Sequence, residues 1–300
     1  MSALLLLLVC LVLGMLAARY ARPPLGLAQA LNWWVINLAL PALVLQLIPR
    51  LQFDWQFWFL VATQWFVFLG AWLLFAALGR AFTWPRGRVG ALVLVCGLGN
   101  TSFMGYPMIE ALRGREGLAL AVIADQLGCF VALAVGGIVV AALYSGQKPQ
   151  PREIAQRVLL FPAFVALLAG IVVGAFGGWP PALDAILARL GATLTPLALF
   201  SVGLRFRLHL GRAQFGALGL GLGWKLALAP LCVLLLGRAF AIEGLTLVIA
   251  TLQAAMAPMI SAAILADQHH LEPPLANTVL GAGILASLAS VPLWNALLGS

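Results

Sequence analysis

The chain has 300 residues, of which 63% are hydrophobic and only 9% are charged, and its formal net charge is +8. A water-soluble protein needs about a quarter of its residues charged, so this composition excludes a soluble globular protein. The basic residues are scattered through short connections between apolar blocks and form no basic helix or basic aromatic patch, which excludes nucleic acid as a partner. We therefore expect the lipid bilayer to be the protein's surroundings.

Apolar blocks of roughly twenty residues, the length of a helix that crosses the hydrocarbon core, follow one another along the chain. The first begins without basic residues and is followed by Arg19 and Arg22, which is the reverse of a secretory signal. The pattern predicts an all-α membrane protein with ten transmembrane helices, at residues 3–18, 28–48, 55–79, 89–111, 117–144, 157–176, 183–204, 213–237, 244–266 and 275–298.

The positive charges in the connections predict the orientation of these spans. Of the 17 lysines and arginines, eleven fall on one side of the predicted membrane and five on the other, and Lys225 alone lies inside a span. Because cytoplasmic loops carry the excess of positive charge, we expect the richer side to be cytoplasmic and both termini to be outside. The location that follows is the plasma membrane, which in a bacterium is the inner membrane.

Two proline landmarks recur in the same order and predict an internal duplication. Pro-Met-Ile occurs at residues 107–109 and again at 258–260, 151 residues later, and Pro41 and Pro196 are 155 residues apart. Two repeats of five helices, an odd number, must enter the membrane from opposite faces. We predict an inverted repeat, with residues 1–144 and 157–300 as the halves and 145–156 as a cytoplasmic linker.

The fourth and ninth spans carry features that interrupt helices and would build a binding site. The fourth contains Asn100, Thr101, Ser102 and Pro107, and the ninth contains Thr251, Gln253 and Pro258. A proline inside a helix removes a backbone hydrogen bond, and a half-helix that starts in the membrane presents free N–H groups to an anion. Kinked packing would produce the same pattern, but two corresponding polar breaks favour a substrate site.

Two ionisable residues, Asp125 and Lys225, lie inside predicted spans and are candidates for ion or proton coupling, together with Asn277. Lys225 could attract a substrate carboxylate, pair with Asp125, or extend its side chain towards an interface. The four cysteines match no metal or redox spacing, and we predict no cofactor, no metal site and no catalytic residues. The chain is therefore not expected to be an enzyme.

Residues 100–109, Asn-Thr-Ser-Phe-Met-Gly-Tyr-Pro-Met-Ile, resemble the signature of the auxin efflux carrier family, which includes plant PIN proteins and many bacterial carriers. Residues 200–204 and 32–41 resemble that family's seventh and second spans. The resemblance implies crossed fourth and ninth helices, a scaffold of spans 1, 2, 6 and 7, and a transport domain of spans 3–5 and 8–10. It also implies transport of organic anions by an elevator motion, with Asn100 holding the carboxylate, and it is compatible with a homodimer.

Two departures from the PIN pattern shape the expected substrate. Gln253-Ala254 stands where PIN proteins usually have Pro-Gln, and Val44 stands where they have a serine. These differences favour a small acid such as malonate or malate over an auxin-like acid. The alternatives left open are a sodium-coupled carrier of the related bile-acid type and a membrane receptor or enzyme that transports nothing.

Overall fold

The computed structural model describes residues 2–52, 54–148, 152, 156, 158–206 and 215–299. Helices occupy most of these residues, and the described ranges contain no β-strand beyond one isolated bridge. We number the helices α1 (Ser2–Leu16, extended by a π-helical turn, Ala17–Ala21), α2 (Leu27–Arg50), α3 (Phe57–Ala81), α4 (Arg86–Gly97), α5 (Gly105–Ser145), α6 (Pro162–Ala175), α7 (Pro181–Arg205), α8 (Phe215–Ala239), α9 (Gly244–Ala254), α10 (Ile260–Gln268) and α11 (Pro273–Leu297).

Among the described residues, six helices are long and apolar enough to cross a membrane, and they are α2, α3, α5, α7, α8 and α11. Shorter apolar helices lie at Leu5–Ala21, Pro162–Ala175 and Gly244–Ala254. The all-helical class is therefore confirmed. Ten crossings and the inverted repeat remain predictions, since they depend on how the shorter helices are placed in a bilayer.

Prolines mark where several helices begin. Pro162, Pro181 and Pro273 occupy the first turn of α6, α7 and α11. Proline is suited to that position because its missing N–H would have no partner in the first turn. The sixth predicted span, 157–176, therefore begins as the helix α6 at Pro162, later than expected. Residue 157 itself lies outside the described residues, as do 213 and 214 at the start of the eighth predicted span.

Gly114 divides α5 into two helical legs, residues 105–113 and 115–145. Its φ of 66° and ψ of −163° are not helical, and a positive φ of this kind is readily adopted only by glycine. Arg113 and Arg115 flank it on either side. The sequence prediction placed the connection between the fourth and fifth spans at residues 112–116, so the kink falls where a connection was expected.

The helices group into two compact units. Unit 1 consists of residues 1–54, 102–122 and 155–206 and includes α1, α2, α6, α7 and the first leg of α5. Here α1 packs against α7 at two glycines, because a Cβ on Gly203 would lie 2.9 Å from Cα of Gly14. Such small residues let membrane helices approach backbone to backbone. Between α2 and α7, the indole Nε1 of Trp34 donates a 3.0 Å hydrogen bond to Oγ1 of Thr193.

Unit 2 consists of residues 55–101, 123–154 and 207–300 and includes α3, α4, most of the second leg of α5, and α8 to α11. Within it α4 packs against α3, the end of α5, α10 and α11, and α9 packs against α3 and α8. The start of α4 is joined to the start of α11 by Arg88, whose guanidinium donates to both carboxylate oxygens of Glu272 at 2.9 and 2.8 Å. These contacts surround the ends of α4 and α9.

Candidate functional site

The fourth predicted span is interrupted after α4. The helix ends at Gly97, Leu98 has extended backbone angles (φ −111°, ψ 129°), and α5 begins only at Gly105. Gly97 and Gly99 lack helix propensity, and Asn100 and Thr101 carry side chains that compete for backbone hydrogen bonds. Pro107 cannot donate to the carbonyl one turn before it. The predicted interruption is therefore present.

The ninth predicted span is interrupted in the same way. The helix α9 ends at Ala254, residues 255–259 are not helical, and α10 begins at Ile260 after an extended Met259 (φ −78°, ψ 131°). Pro258 lies in this segment, where a helix would need the N–H that proline lacks. This second interruption was also predicted.

The two interrupted segments pair with each other, and we call residues 98–101 and 255–259 the crossing. Gly99 and Pro258 form an isolated antiparallel bridge. The N–H of Asn100 donates to the carbonyl of Ala257 at 2.7 Å, and the N–H of Met259 donates to the carbonyl of Leu98 at 3.0 Å. Backbone groups released by each break are thus satisfied by the other, which makes irregular backbone tolerable away from water.

Asn100 places a buried amide at the crossing. Its side chain is 2% exposed, and its Nδ2 has no hydrogen-bond partner. A buried donor without a partner costs about 1–3 kcal/mol, so such groups are rare unless a ligand uses them. The Asn100 amide is therefore a donor at the crossing that a bound molecule could use.

Next to the crossing, Thr101 contacts the buried carboxylate of Asp125. The hydroxyl of Thr101 donates to Oδ1 of Asp125, and Nε2 of Gln126 donates to Oδ2 at 2.7 Å. Asp125 and Gln126 are 2% and 0% exposed and belong to a π-helical stretch of α5, Ala124–Cys129. Such π-helical turns occur frequently at functional sites. Both oxygens of the carboxylate are thus occupied by side-chain donors.

Lys225 contributes a positive charge to the same cluster. Its side chain is 0% exposed, and its Nζ donates a 2.9 Å hydrogen bond to the carbonyl of Ala254, the last residue of α9. This backbone partner was not among the alternatives given by the sequence, which were a substrate carboxylate, Asp125 and an interface. The side chain of Gln253 also contacts the crossing, since its Nε2 donates to the carbonyl of Thr101 at 3.4 Å.

The remaining predicted residues do not join this cluster. Thr251 is buried, but its hydroxyl donates to the Leu247 carbonyl one turn earlier in α9. Ser102 and Pro107 belong to unit 1, where Ser102 is half-buried and Pro107 is buried as the third residue of α5. Asn277 lies on the exposed face of α11. Six of the ten candidates, namely Asn100, Thr101, Asp125, Lys225, Gln253 and Pro258, therefore form or contact the crossing.

Three residues of the site were not predicted from the sequence: Gly99, Gln126 and Cys129. The thiol of Cys129 donates to the Gly99 carbonyl at 3.3 Å, whereas the spacing of the cysteines had indicated no site. One signal was available, because Cys129 follows Asp125 by four residues and so shares its helix face. Gln126, a large polar residue inside an apolar block, was another.

Replacing Thr101 with valine should lower the stability of the protein by about 1–3 kcal/mol, because the buried Asp125 carboxylate then loses a donor. Thr251→Val is the matched control, since its hydroxyl bonds only to a carbonyl of its own helix, and we expect a change below about 1 kcal/mol. Thermal unfolding of the purified variants in detergent measures both. Equal losses in the two variants would contradict the assigned contact.

Comparison with known proteins places this geometry in a family. The chain is similar to an uncharacterized transporter of Methanothermobacter thermautotrophicus, with 27% identity over 73% of both chains. It is also similar to an uncharacterized transporter of Methanocaldococcus jannaschii, with 25% identity over 69% of this chain and 68% of the other. The uncharacterized transporter YfdV of Escherichia coli is 23% identical over 97% of this chain and 95% of its own.

A family profile gives the assignment directly. The profile described as membrane transport protein matches residues 1–295, which is nearly the whole chain. This match confirms the resemblance to the auxin efflux carriers that residues 100–109 indicated. With its long apolar helices and its two interrupted ones, the chain is a multi-pass membrane protein that belongs to the membrane transport protein family.

Proposed function

We propose that this protein carries a small organic anion across the membrane, a carboxylate such as malonate, malate or an auxin-like acid. The observation that supports this proposal is the buried Asn100 amide, whose Nδ2 has no protein partner at the crossing of two broken helices. A carboxylate oxygen is a suitable acceptor for this donor, and a hydrogen bond to a charged group contributes about 1.5–3 kcal/mol.

The electrostatics of the crossing favour a negative ligand. The helix α10 begins at Ile260, directly after the segment that pairs with residues 98–100. The first N–H groups of a helix have no partner within it and carry the positive end of the helix dipole. Lys225 adds a basic side chain in the same unit. Asp125 is the acid in contact with the crossing, and donors already hold both its oxygens.

For the mechanism, we propose that spans 3–5 and 8–10 act as a transport domain that moves against a scaffold of spans 1, 2, 6 and 7. The close backbone contact between α1 and α7 in unit 1 supports a rigid scaffold role for those helices. We place the carrier in a bacterial inner membrane with both termini outside. Transport is secondary or driven by the membrane potential, which contributes about 2.3 kcal/mol per unit charge per 100 mV.

Flux through the purified protein tests this proposal. Proteoliposomes containing the full chain receive radiolabelled malonate, malate or indole-acetate, with malonamide as the uncharged control, and a potassium gradient with valinomycin sets the potential. We expect uptake of at least one acid, faster when the interior is positive, and no uptake of malonamide beyond that of empty liposomes. Binding of an acid without flux would indicate a receptor or enzyme instead, and would contradict transport.

A further inference from the structure

A second buried amide without a partner lies in α3. Gln64 is 3% exposed, and its Nε2 has no hydrogen-bond partner. In the described part of unit 2, the side-chain amide nitrogens in this condition are those of Gln64 and Asn100. Because a buried donor without an acceptor is destabilising, such groups are rare unless a bound molecule uses them.

The level of Gln64 within unit 2 follows from the packing of α3 against α4. A Cβ on Gly79, near the end of α3, would contact Val89 near the start of α4. A Cβ on Gly97, the last residue of α4, would lie 3.1 Å from Cδ2 of Phe68, so the two helices are antiparallel. Gln64 precedes Phe68 by four residues and therefore lies on the same face of α3, about 6 Å beyond the end of α4. This is the level of the crossing.

The π-helical stretch of α5 also contacts Gln64. A Cβ on Gly128 would lie 2.7 Å from Cγ of Gln64 and 3.0 Å from its Cβ, so a side chain at position 128 would displace this glutamine. Gly128 follows Asp125 by three residues and directly precedes Cys129. The thiol of Cys129 donates to the Gly99 carbonyl in the crossing. Since residues three and four apart share a helix face, Gln64 packs on the face of α5 that contacts the crossing.

The unpaired nitrogen of Gln64 requires an oxygen acceptor. In the proposed function the Asn100 amide binds one carboxylate, and Gln64 offers a second donor at the same level of unit 2. A second carboxylate, a hydroxyl or a keto oxygen can accept this hydrogen bond, whereas a hydrocarbon chain or an indole ring cannot. A site with a buried polar group discriminates against a ligand that leaves the group unpaired.

We propose that Gln64 is a second substrate-binding residue, whose Nε2 donates to an oxygen at the end of the acid opposite the carboxylate bound by Asn100. This inference rests on the proposed function and narrows its substrate class to acids that carry a second oxygen acceptor. Malonate and malate belong to this class, and an acid whose remainder is an indole ring does not.

Binding of three acids of three carbons each tests the role of Gln64. Isothermal titration calorimetry of the purified full chain in detergent compares malonate, 3-hydroxypropionate and propionate, which end in a carboxylate, a hydroxyl and a methyl group. We expect the wild type to bind malonate roughly ten- to a hundredfold, and 3-hydroxypropionate roughly two- to tenfold, more tightly than propionate. In Gln64→Leu, all three should bind as weakly as propionate binds to the wild type.

Thr63→Val is the matched control on the same helix. Thr63 is 2% exposed, and its hydroxyl donates to the Leu60 carbonyl of α3 at 3.1 Å, so its loss should leave the preference for malonate unchanged. Thermal unfolding separates binding from a structural role. Because leucine removes a nitrogen that has no partner, we expect Gln64→Leu to unfold at the wild-type temperature or above, and Gln64→Met replaces it if it aggregates.

Equal affinity of the wild type for the three acids would overturn the proposal, as would a preference for malonate that persists in the Gln64 variant. A lower unfolding temperature of that variant would assign Gln64 to the fold instead. A wild type that binds none of the three acids would also overturn the proposal. The flux assay with malate and indole-acetate then reports separately whether the proposed transport stands.

Discussion

Replacing Asn100 with alanine should reduce the affinity for every transported acid by roughly ten- to a hundredfold. The reason is the loss of a hydrogen bond from Nδ2 to a charged carboxylate, which contributes about 1.5–3 kcal/mol. The fold should survive the substitution, since the crossing uses the backbone N–H of Asn100 and not its side chain. Uptake of labelled acid as a function of its concentration, in proteoliposomes with equal amounts of protein, measures the change.

Asn37→Ala is the matched control for this prediction. Its amide donates to the Trp33 carbonyl of its own helix α2, at 2.8 Å, so its removal should leave uptake unchanged. A further variant, Asn100→Asp, replaces the donor with a negative charge and should reduce affinity more than alanine does, because like charges repel. If Asn100→Ala transported every acid as well as the wild type does, the assignment of Asn100 to the substrate would be wrong.

Replacing Gly283 in α11 with alanine should disturb the crossing by displacing Pro258. A Cβ at this position would lie 2.6 Å from Cγ of Pro258 and 3.1 Å from Cδ2 of Leu222, and the proline ring cannot rotate away. Overpacking of this kind typically costs about 1–3 kcal/mol. Since Pro258 pairs with Gly99, we also expect slower uptake of acid.

Gly219→Ala is the control that separates overpacking at Gly283 from the general effect of replacing a helical glycine with alanine. Gly219 lies on an exposed face of α8, and no atom lies within 4 Å of the position that its Cβ would take. Alanine there should stabilise the helix by up to about 1 kcal/mol. Thermal unfolding of both variants measures the difference in stability. A Gly283→Ala protein as stable as Gly219→Ala would contradict the predicted overpacking, because Pro258 would then have moved without cost.

The interruptions of both helices could be predicted from the sequence because their causes are local. Glycines, short polar side chains and a proline within one block disfavour a continuous helix wherever the chain is placed. Pro162, Pro181 and Pro273 mark helix starts for an equally local reason. These features depend on neighbours within one or two turns.

The partners across the site could not be predicted in the same way. The bridge between Gly99 and Pro258 joins segments more than 150 residues apart. The resemblance implied that the two helices cross, but no local pattern in either segment indicates which residues pair. The sequence offered a substrate, Asp125 or an interface for Lys225, whereas its actual partner, the Ala254 carbonyl, depends on where α9 ends in space. Nor does a helix as uniformly apolar as α11 show which face is buried, and Asn277 accordingly lies on the exposed one.

We propose that the crossing binds the substrate carboxylate through the Asn100 amide. The most direct test is equilibrium binding of the transported acid to purified wild type and Asn100→Ala, each compared with the neutral amide of that acid. We expect the wild type to bind the acid but not the amide, and Asn100→Ala to bind the acid with most of the affinity lost. Equal affinity for acid and amide, or unchanged binding in the variant, would contradict it.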